Sequence, residues 1–121
     1  MSTVDFLFVV NVGCDNPRVV KWAFGKDAGE IIVGGNGVGT ALNQLELPRS
    51  ILVNHDGAVV VSDSLNHRVV KWAVGADIGE VIAGGHGQGA ALNQLSHPLG
   101  VVIGHDGTLF IADKNNQRVV K

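Results

Sequence analysis

Short apolar runs alternate along the chain with polar turns that contain glycine. The unit from Leu47 to Gly85 has four such runs, and Asp56-Gly57 separates the first two. An Asp-Gly pair between β-branched residues is typical of a hairpin, because glycine accepts the positive φ of a tight turn. Polar residues that favour turns separate the other runs. The pattern therefore predicts four antiparallel strands per unit, at 51–53, 58–61, 68–73 and 80–83.

Within these runs, successive residues are apolar, instead of every second residue. Strands of this kind are covered on both faces. Four-stranded sheets that pack radially, each between two others, provide that environment, so the predicted fold is an all-β propeller. Helical periodicity is nearly absent, and only Thr40–Leu45 is expected to form a single helical turn.

The unit is repeated with a step of 50 residues. Arg18–Ala23 and Arg68–Ala73 are identical, and Arg118–Lys121 begins the same run a third time. A period of this size indicates one supersecondary unit that needs neighbours to bury its apolar faces. We expect residues 1–121 to form one propeller segment of about two and a half blades: 1–35 a partial blade, 47–85 a full blade and 97–121 a partial blade. The first would supply the last three strands of its blade, and the third the first three.

The order of these motifs carries a family resemblance. Pro98–Asp113 followed by Asn116-Gln117-Arg118 resembles the NHL repeat. The second copy carries the signature tripeptide of that repeat intact, as Asn66-His67-Arg68. The resemblance covers nearly the whole chain. It implies a β-propeller, commonly six-bladed, that serves mainly as a binding platform.

Aspartate and arginine recur five residues apart, as Asp63 with Arg68 and as Asp113 with Arg118. A charge-assisted hydrogen bond that closes the loop between two strands is the expected role, because an arginine in a buried loop needs an acceptor. Recurrence in successive blades favours packing over catalysis. In the first copy, the sequence spacing puts Gly13 where the aspartate stands later.

Trp22 and Trp72 occupy the same position on the third strand of successive units. Tryptophans at equivalent positions are expected to be buried, where they fill the wedge between neighbouring blades. We therefore assign both to the structural repeat, and not to a stacking platform for a ligand.

Four polar residues are candidates for binding on a loop face of the propeller: His55, His105, Asn66 and His67. His55 and His105 lie on hairpin turns one repeat apart, so blade spacing separates them. A metal site needs three or four ligands that converge on one point, and we expect none here. We also expect no catalytic residues and no cofactor. The glycine-rich segments 34–39 and 84–89 fit no nucleotide-binding order and are expected to let the chain cross between blades.

Composition narrows the functional classes. Nine basic and eleven acidic residues give a formal net charge of −2, without the basic excess that is typical of nucleic-acid modules. Cys14 is the only cysteine, so no disulfide forms within the chain. The N-terminal residues lack the features of a signal peptide, and no run approaches the length of a membrane-spanning helix. These features favour a cytoplasmic protein that does not insert into membranes.

The function expected from the sequence is a non-enzymatic scaffold that binds a protein or a peptide. The alternative is an RNA-binding propeller, against which the acidic loop residues Asp27, Glu46, Asp63 and Asp77 argue. The third hypothesis is a metal-dependent propeller lyase or lactonase.

A segment of about two and a half blades would leave two blade faces and their strand edges exposed, which favours aggregation unless something covers them. We therefore expect a homodimer that closes a six-bladed ring, or a fragment of a longer propeller.

Overall fold

The computed structural model describes residues 6–11 and 16–121 and contains three antiparallel sheets. Blade 1 consists of β1 (Phe6–Asn11), β2 (Arg18–Ala23) and β3 (Glu30–Gly34). Blade 2 consists of β4 (Pro48–Val53), β5 (Val59–Asp63), β6 (Arg68–Trp72) and β7 (Glu80–Gly84). Blade 3 consists of β8 (Pro98–Ile103), β9 (Leu109–Asp113) and β10 (Arg118–Val120). The predicted order of three, four and three strands is confirmed, and so is the all-β fold of partial propeller blades.

The blades have two ends, which we name by the segments that form them. The turn face comprises the hairpin turns 54–58 and 104–108 and the loops 24–29 and 73–79. The linker face comprises the loops 64–67 and 114–117 and the linkers 35–47 and 85–97, which carry the chain from one blade to the next. Strand pairing sets this division, since Val53 pairs with Val59 at the turn face and Pro48 pairs with Asp63 at the linker face.

The hairpin turns form as the sequence predicts. Gly57 has a φ of 88°, and its N–H donates to Asn54 O at 2.9 Å. Asn54 N–H donates to Ala58 O at 2.8 Å and closes the hairpin. The Asp56 carboxylate accepts the Ala58 N–H at 3.1 Å, so its side chain also holds the turn.

Two local predictions need correction. The segment 62–67, where turn-forming polar residues predict a loop, contributes Ser62 and Asp63 to β5 and contains a 3-10 helix at Ser64–Asn66, closed by His67 in the left-handed region at a φ of 53°. Thr40–Leu45, expected as a helical turn, forms no helix, although Gln44 N–H donates to Ala41 O at 3.0 Å. The bonds that Arg68 of the next blade donates to the Thr40, Ala41 and Gln44 carbonyls hold this segment as a bent linker instead.

The core consists of two layers, one on each side of blade 2. Alternate residues of β5 point to opposite sides, as the geometry of a strand requires. Val59 and Val61 pack toward blade 1 with Val19, whereas Val60 packs toward blade 3 with Ile111. All five residues of β5 are buried. The successive apolar positions in the sequence therefore serve two blade junctions at once.

The two tryptophans differ, and the prediction that both are buried is wrong for one of them. Trp72 is 4% exposed and packs against blade 1, whereas Trp22 is 36% exposed because no blade of the described chain lies on its side. Their local fixation is the same, since each indole N–H donates at 2.9 Å to a carbonyl four residues later, that of Lys26 or Ala76. A Cβ on Gly79 would lie 2.7 Å from Trp72, so glycine is required beneath the ring.

Among the residues described, no helix is long and apolar enough to cross a membrane.

Replacing Trp72 with alanine should lower the free energy of unfolding by about 3–5 kcal/mol, because the substitution leaves a cavity between blades 1 and 2. Phe24, which is 64% exposed on the turn face, provides the control. Phe24→Ala should change the free energy of unfolding by less than about 0.5 kcal/mol. Urea unfolding followed by circular dichroism measures both. Equal losses for the two variants would contradict the placement of Trp72 in the core.

Candidate functional site

A buried ion pair stands at the linker-face end of blade 2. Arg68 Nε donates to Asp63 Oδ2 at 2.8 Å, and the two side chains are 7% and 0% exposed. The other carboxylate oxygen of Asp63 accepts the Glu46 N–H at 2.7 Å. Asn66 Nδ2 donates to Asp63 Oδ2 at 2.9 Å and to Gly39 O at 2.8 Å. The expected pairing of Asp63 with Arg68 is thus present, and it also fixes the linker.

The guanidinium of Arg68 extends this attachment through three more bonds. It donates to Thr40 O at 2.9 Å and to Ala41 O and Gln44 O at 3.0 Å. These three carbonyls belong to the linker that precedes blade 2. Blade 2 therefore holds the linker through which the chain enters it.

Blade 3 repeats the arrangement. Arg118 Nε donates to Asp113 Oδ2 at 2.8 Å, and Ser96 N–H donates to Asp113 Oδ1 at 2.7 Å. Asn116 takes the place of Asn66. The side chain of Arg118 is 27% exposed, so this pair is less covered than the pair in blade 2.

The two carboxylates differ in their titration because they differ in cover. Burial raises the pKa of Asp63 and outweighs the bonds from Glu46, Asn66 and Arg68, which lower it. Burial also acts to raise the pKa of Asp113, but there the bonds from Asn116, Ser96 and Arg118 prevail and lower the pKa. Asp63 lies in the blade that is packed on both sides, which explains the direction of the difference.

Blade 1 lacks a carboxylate at this position, and the strand register corrects which residue replaces it. Asn11 pairs with Arg18, as Asp63 pairs with Arg68. The prediction from spacing gave Gly13, which lies outside the described residues; the connection between β1 and β2 is two residues longer than that between β5 and β6. The buried Nε of Arg18 has no acceptor among the residues that the structure describes.

The four polar residues proposed for a loop face do not share one face. His55 and His105 are exposed on the turn face, whereas Asn66 and His67 lie on the linker face. The five residues of β5 separate the two ends by roughly 15 Å. The side-chain amide of Asn66 is already used by Asp63 and Gly39. The grouping of these four as one binding surface is therefore wrong.

His67 has a partner that sequence reasoning missed. Its ring lies 4.5 Å from the ring of His97, at an interplanar angle of 85°. The two residues are thirty positions apart, and the linker 85–97 brings them together at the junction of blades 2 and 3. No spacing motif signals this contact.

Charge differs between the two faces. The loops and turns of the turn face carry one lysine, Lys26, and four exposed aspartates. The aspartates are Asp27, Asp56, Asp77 and Asp106. Exposed apolar side chains lie on the same loops: Phe24 at 64%, Val74 at 74% and Ile78 at 57%. On the linker face, by contrast, Asp63 is buried in its ion pair. The acidic residues that argued against RNA binding as one group are thus divided between the faces.

The described residues contain no group of three or more His, Cys, Asp or Glu side chains that could hold a metal ion.

Comparison with protein families gives a specific result for the C-terminal part: residues 95–121 match the model of the NHL repeat. The match includes the ion pair of Asp113 with Arg118 and the 3-10 helix Lys114–Asn116, so the resemblance to the NHL repeat is confirmed for this part of the chain.

Structure comparison agrees with a propeller fold. The chain is similar to an auxiliary nutrient binding protein from Bacteroides thetaiotaomicron, with a TM-score of 0.70 and 17% sequence identity. The similarity covers 94% of this chain and 33% of that protein, so this chain spans about a third of that protein's length. At this identity the likeness establishes the fold alone. No curated protein matches the chain in sequence. Together, the match at residues 95–121 and the structural similarity show partial blades of a β-propeller.

Asp63→Asn should lower the free energy of unfolding by about 3–5 kcal/mol, because Arg68 is then buried without a counter-charge. Asp113→Asn should cost less, since Arg118 is 27% exposed and can be hydrated. Asp56→Asn, on an exposed hairpin turn, is the control and should stay within about 0.5 kcal/mol of the wild type. Urea unfolding at pH 7 gives all three values. A larger loss for Asp113→Asn than for Asp63→Asn would contradict the argument from burial.

Proposed function

We propose that the chain is a non-enzymatic scaffold that binds a protein or peptide through its turn face, and that the bound segment is basic and partly apolar. The observation that supports the proposal most directly is the composition of that face. This face carries four exposed aspartates and only one lysine, Lys26, and exposed apolar side chains lie on the same loops. Complementary charge steers a partner and sets its orientation, while apolar contacts add affinity.

The carboxylates of this face are suited to the role. Hydrogen bonds from the backbone and side chain of Thr108 lower the pKa of Asp106, so its carboxylate stays ionised further into the acidic range. The turns are held by rigid strands on both sides, and binding residues commonly occupy loops on such a scaffold. The structurally similar protein from Bacteroides thetaiotaomicron is named an auxiliary nutrient binding protein. For this chain we propose a binding role without catalysis.

The alternative functions have weaker support. RNA binding needs a basic surface, because phosphate contacts supply most of its affinity. The loops and linkers of the linker face carry Lys114 and Glu46, which leaves no excess of positive charge. A propeller lyase or lactonase would need several metal ligands at one point. His55 and His105, the candidates nearest to that chemistry, lie on turns of different blades.

The described part of blade 1 also supports the proposal that a second copy of the chain covers its open side. Trp22 is 36% exposed where Trp72 is 4% exposed, and the buried Nε of Arg18 has no acceptor among the described residues. The equivalent groups in blade 2 are covered by another blade and by a linker. Two copies with about three blades each would close a six-bladed ring, with the same kind of blade junction continued between chains. Further blades of a longer chain are the alternative cover.

The turn-face proposal is tested with two fluorescein-labelled peptides, one of alternating lysine and leucine and one of alternating glutamate and leucine. The lysine peptide should bind the full chain, and its affinity should fall with added salt. Asp27→Asn combined with Asp77→Asn should weaken binding about fivefold, since each exposed charge contributes about 0.5 kcal/mol. Fluorescence anisotropy measures the affinities.

Lys114→Gln, on the linker face, is the matched control for this binding test and should leave the affinity unchanged. Equal binding of the glutamate peptide would overturn the proposal. A single-stranded RNA that binds more tightly than the lysine peptide would replace it with the RNA alternative.

The proposed second copy is tested by light scattering on the eluting protein. The expected mass is twice the 12.6 kDa of one chain. Trp22→Lys should give the single-chain mass, because it places a charge on the covered side. Val74→Lys, at a position 74% exposed on the turn face, should keep the double mass. A wild-type protein that is well folded at the mass of one chain would contradict self-association. Further blades of a longer chain would then be the remaining explanation for what covers blade 1.

A further inference from the structure

Two histidines meet on the linker face where blade 2 adjoins blade 3. His67 ends the 3-10 helix Ser64–Asn66 at a φ of 53°, and His97 precedes β8 at a φ of 54°. Both rings are half-buried, and their centroids lie 4.5 Å apart. The contact joins the loop of one blade to the linker that enters the next.

One bond at this contact depends on the protonation of His67. The backbone N–H of His97 donates to His67 Nδ1 at 3.0 Å. Nδ1 can accept only while its lone pair is free, so His67 must be neutral with its proton on Nε2. A proton on Nδ1 would face the N–H of His97, and a backbone N–H cannot turn round to become an acceptor.

His97 is in a more adaptable position. Its Nδ1 lies 2.5 Å from Asn115 Nδ2 and 3.4 Å from Ser96 Oγ. A side-chain amide can rotate to present its oxygen, and a hydroxyl can either donate or accept. The partners of His97 Nδ1 can therefore accept as well as donate, whereas the partner of His67 Nδ1 can only donate. Protonation of His67 at Nδ1 is thus incompatible with the bond from the His97 N–H.

The preceding junction shows that the fold does not need these histidines. One repeat earlier, Pro17 stands at the position of His67, Leu47 at that of His97 and Leu65 at that of Asn115. The backbone bond between linker and loop recurs in both places at 3.1 Å, from Leu65 N–H to Glu46 O and from Asn115 N–H to Ser96 O. The main chain packs in the same way at the two junctions. What differs is that only the second carries a pair of histidine side chains.

We propose that His67 and His97 form a pH-sensitive latch, which holds the linker face of blade 2 to that of blade 3 at neutral pH and releases it in mildly acidic solution. The inference concerns this chain alone and does not rest on peptide binding. Release would free the linker residues around His97 from the loop that ends at His67. The blades themselves would remain folded, because Asp113 and Arg118 still hold the rest of the linker.

The surrounding charges act in the direction that this requires. Burial lowers the pKa of His67, the charge of His97 lowers it further, and Asp113 raises it in part. Asp113 is neutralised by Arg118, so its opposing effect is limited. Because the pKa is lower in the folded state than the ordinary value of 6.5, the unfolded chain binds more protons. The stabilisation is present above pH 6.5 and is lost as the pH falls through the pKa of folded His67.

Hydrogen exchange provides a test with an internal control. Exchange of residues 94–100 is compared with that of the equivalent residues 44–50 in the same molecule, at pH 7.5 and pH 5.0, with correction for the intrinsic effect of pH. The ratio of the two rates should rise about fivefold at pH 5.0, as expected for the loss of one hydrogen bond at the second junction. A ratio that does not change with pH would overturn the proposal.

The variants are taken from residues that the chain itself carries at equivalent backbone positions. His67→Gln reproduces Gln117, whose φ is 52°, and should abolish the pH dependence. His97→Leu reproduces Leu47, whose φ is 50°, and should keep the dependence but move its midpoint to higher pH, since the repulsion between the rings is gone. His105→Gln, on the turn face, should behave as the wild type. Acid release that persists in His67→Gln would assign the effect to another group and overturn the latch.

Discussion

The buried guanidinium of Arg68, at the start of β6 in blade 2, is the group on which the architecture depends. Arg68 donates one bond to Asp63 within its own blade and three to the carbonyls of the preceding linker. Burying this charge is costly, and only a full set of acceptors offsets that cost. These bonds also stabilise the linker, because its bent backbone leaves carbonyls that have no partner in a neighbouring strand. One side chain therefore closes the loop of its own blade and fixes the path between two blades.

This interaction has a direction, and the asymmetry of the chain follows from it. Arg68 and Arg118 each bind the linker that comes before their blade, so both are satisfied by segments of the described chain. Arg18 occupies the same place in blade 1, and its buried Nε lacks an acceptor among the described residues. Trp22 is exposed on the same blade for a related reason, since its counterpart Trp72 packs against the blade before it. The junctions are of the head-to-tail type, and such junctions can continue from one chain to the next.

Features that arise within one unit could be predicted from the sequence. The strands followed from apolar runs and from the Asp56-Gly57 turn, and the pairing of Asp63 with Arg68 followed from a spacing of five residues. Register was less accessible, because repeat spacing pointed to Gly13 and strand pairing puts Asn11 opposite Arg18. A slip of two residues keeps every side chain on its face, so hydrophobicity alone does not reveal it.

Other features depend on which end of a blade a loop occupies. Counting strands would have separated His55 from His67, since a single strand lies between their loops. The contact of His67 with His97 had no such signal, because it arises from the return of a linker and not from a local pattern. The exposure of Trp22 was also beyond a repeat argument, which treats every copy as if it had two neighbours.

The two ends of the blades are under different physical constraints. On the linker face, side chains such as Asn66 and Gln44 are bonded to the backbone of the inter-blade path, so a change there disturbs the order of the blades. The turn-face loops bond within themselves, as Asp56 does with Ala58 and Trp72 with Ala76, and one main-chain bond, from Gly79 N–H to Leu42 O at 2.8 Å, joins such a loop to a linker. Their outward side chains can vary without loosening the blades, which is the condition under which a loop can acquire a partner. Recognition is therefore better accommodated on the turn face, and control of the blade junctions on the linker face.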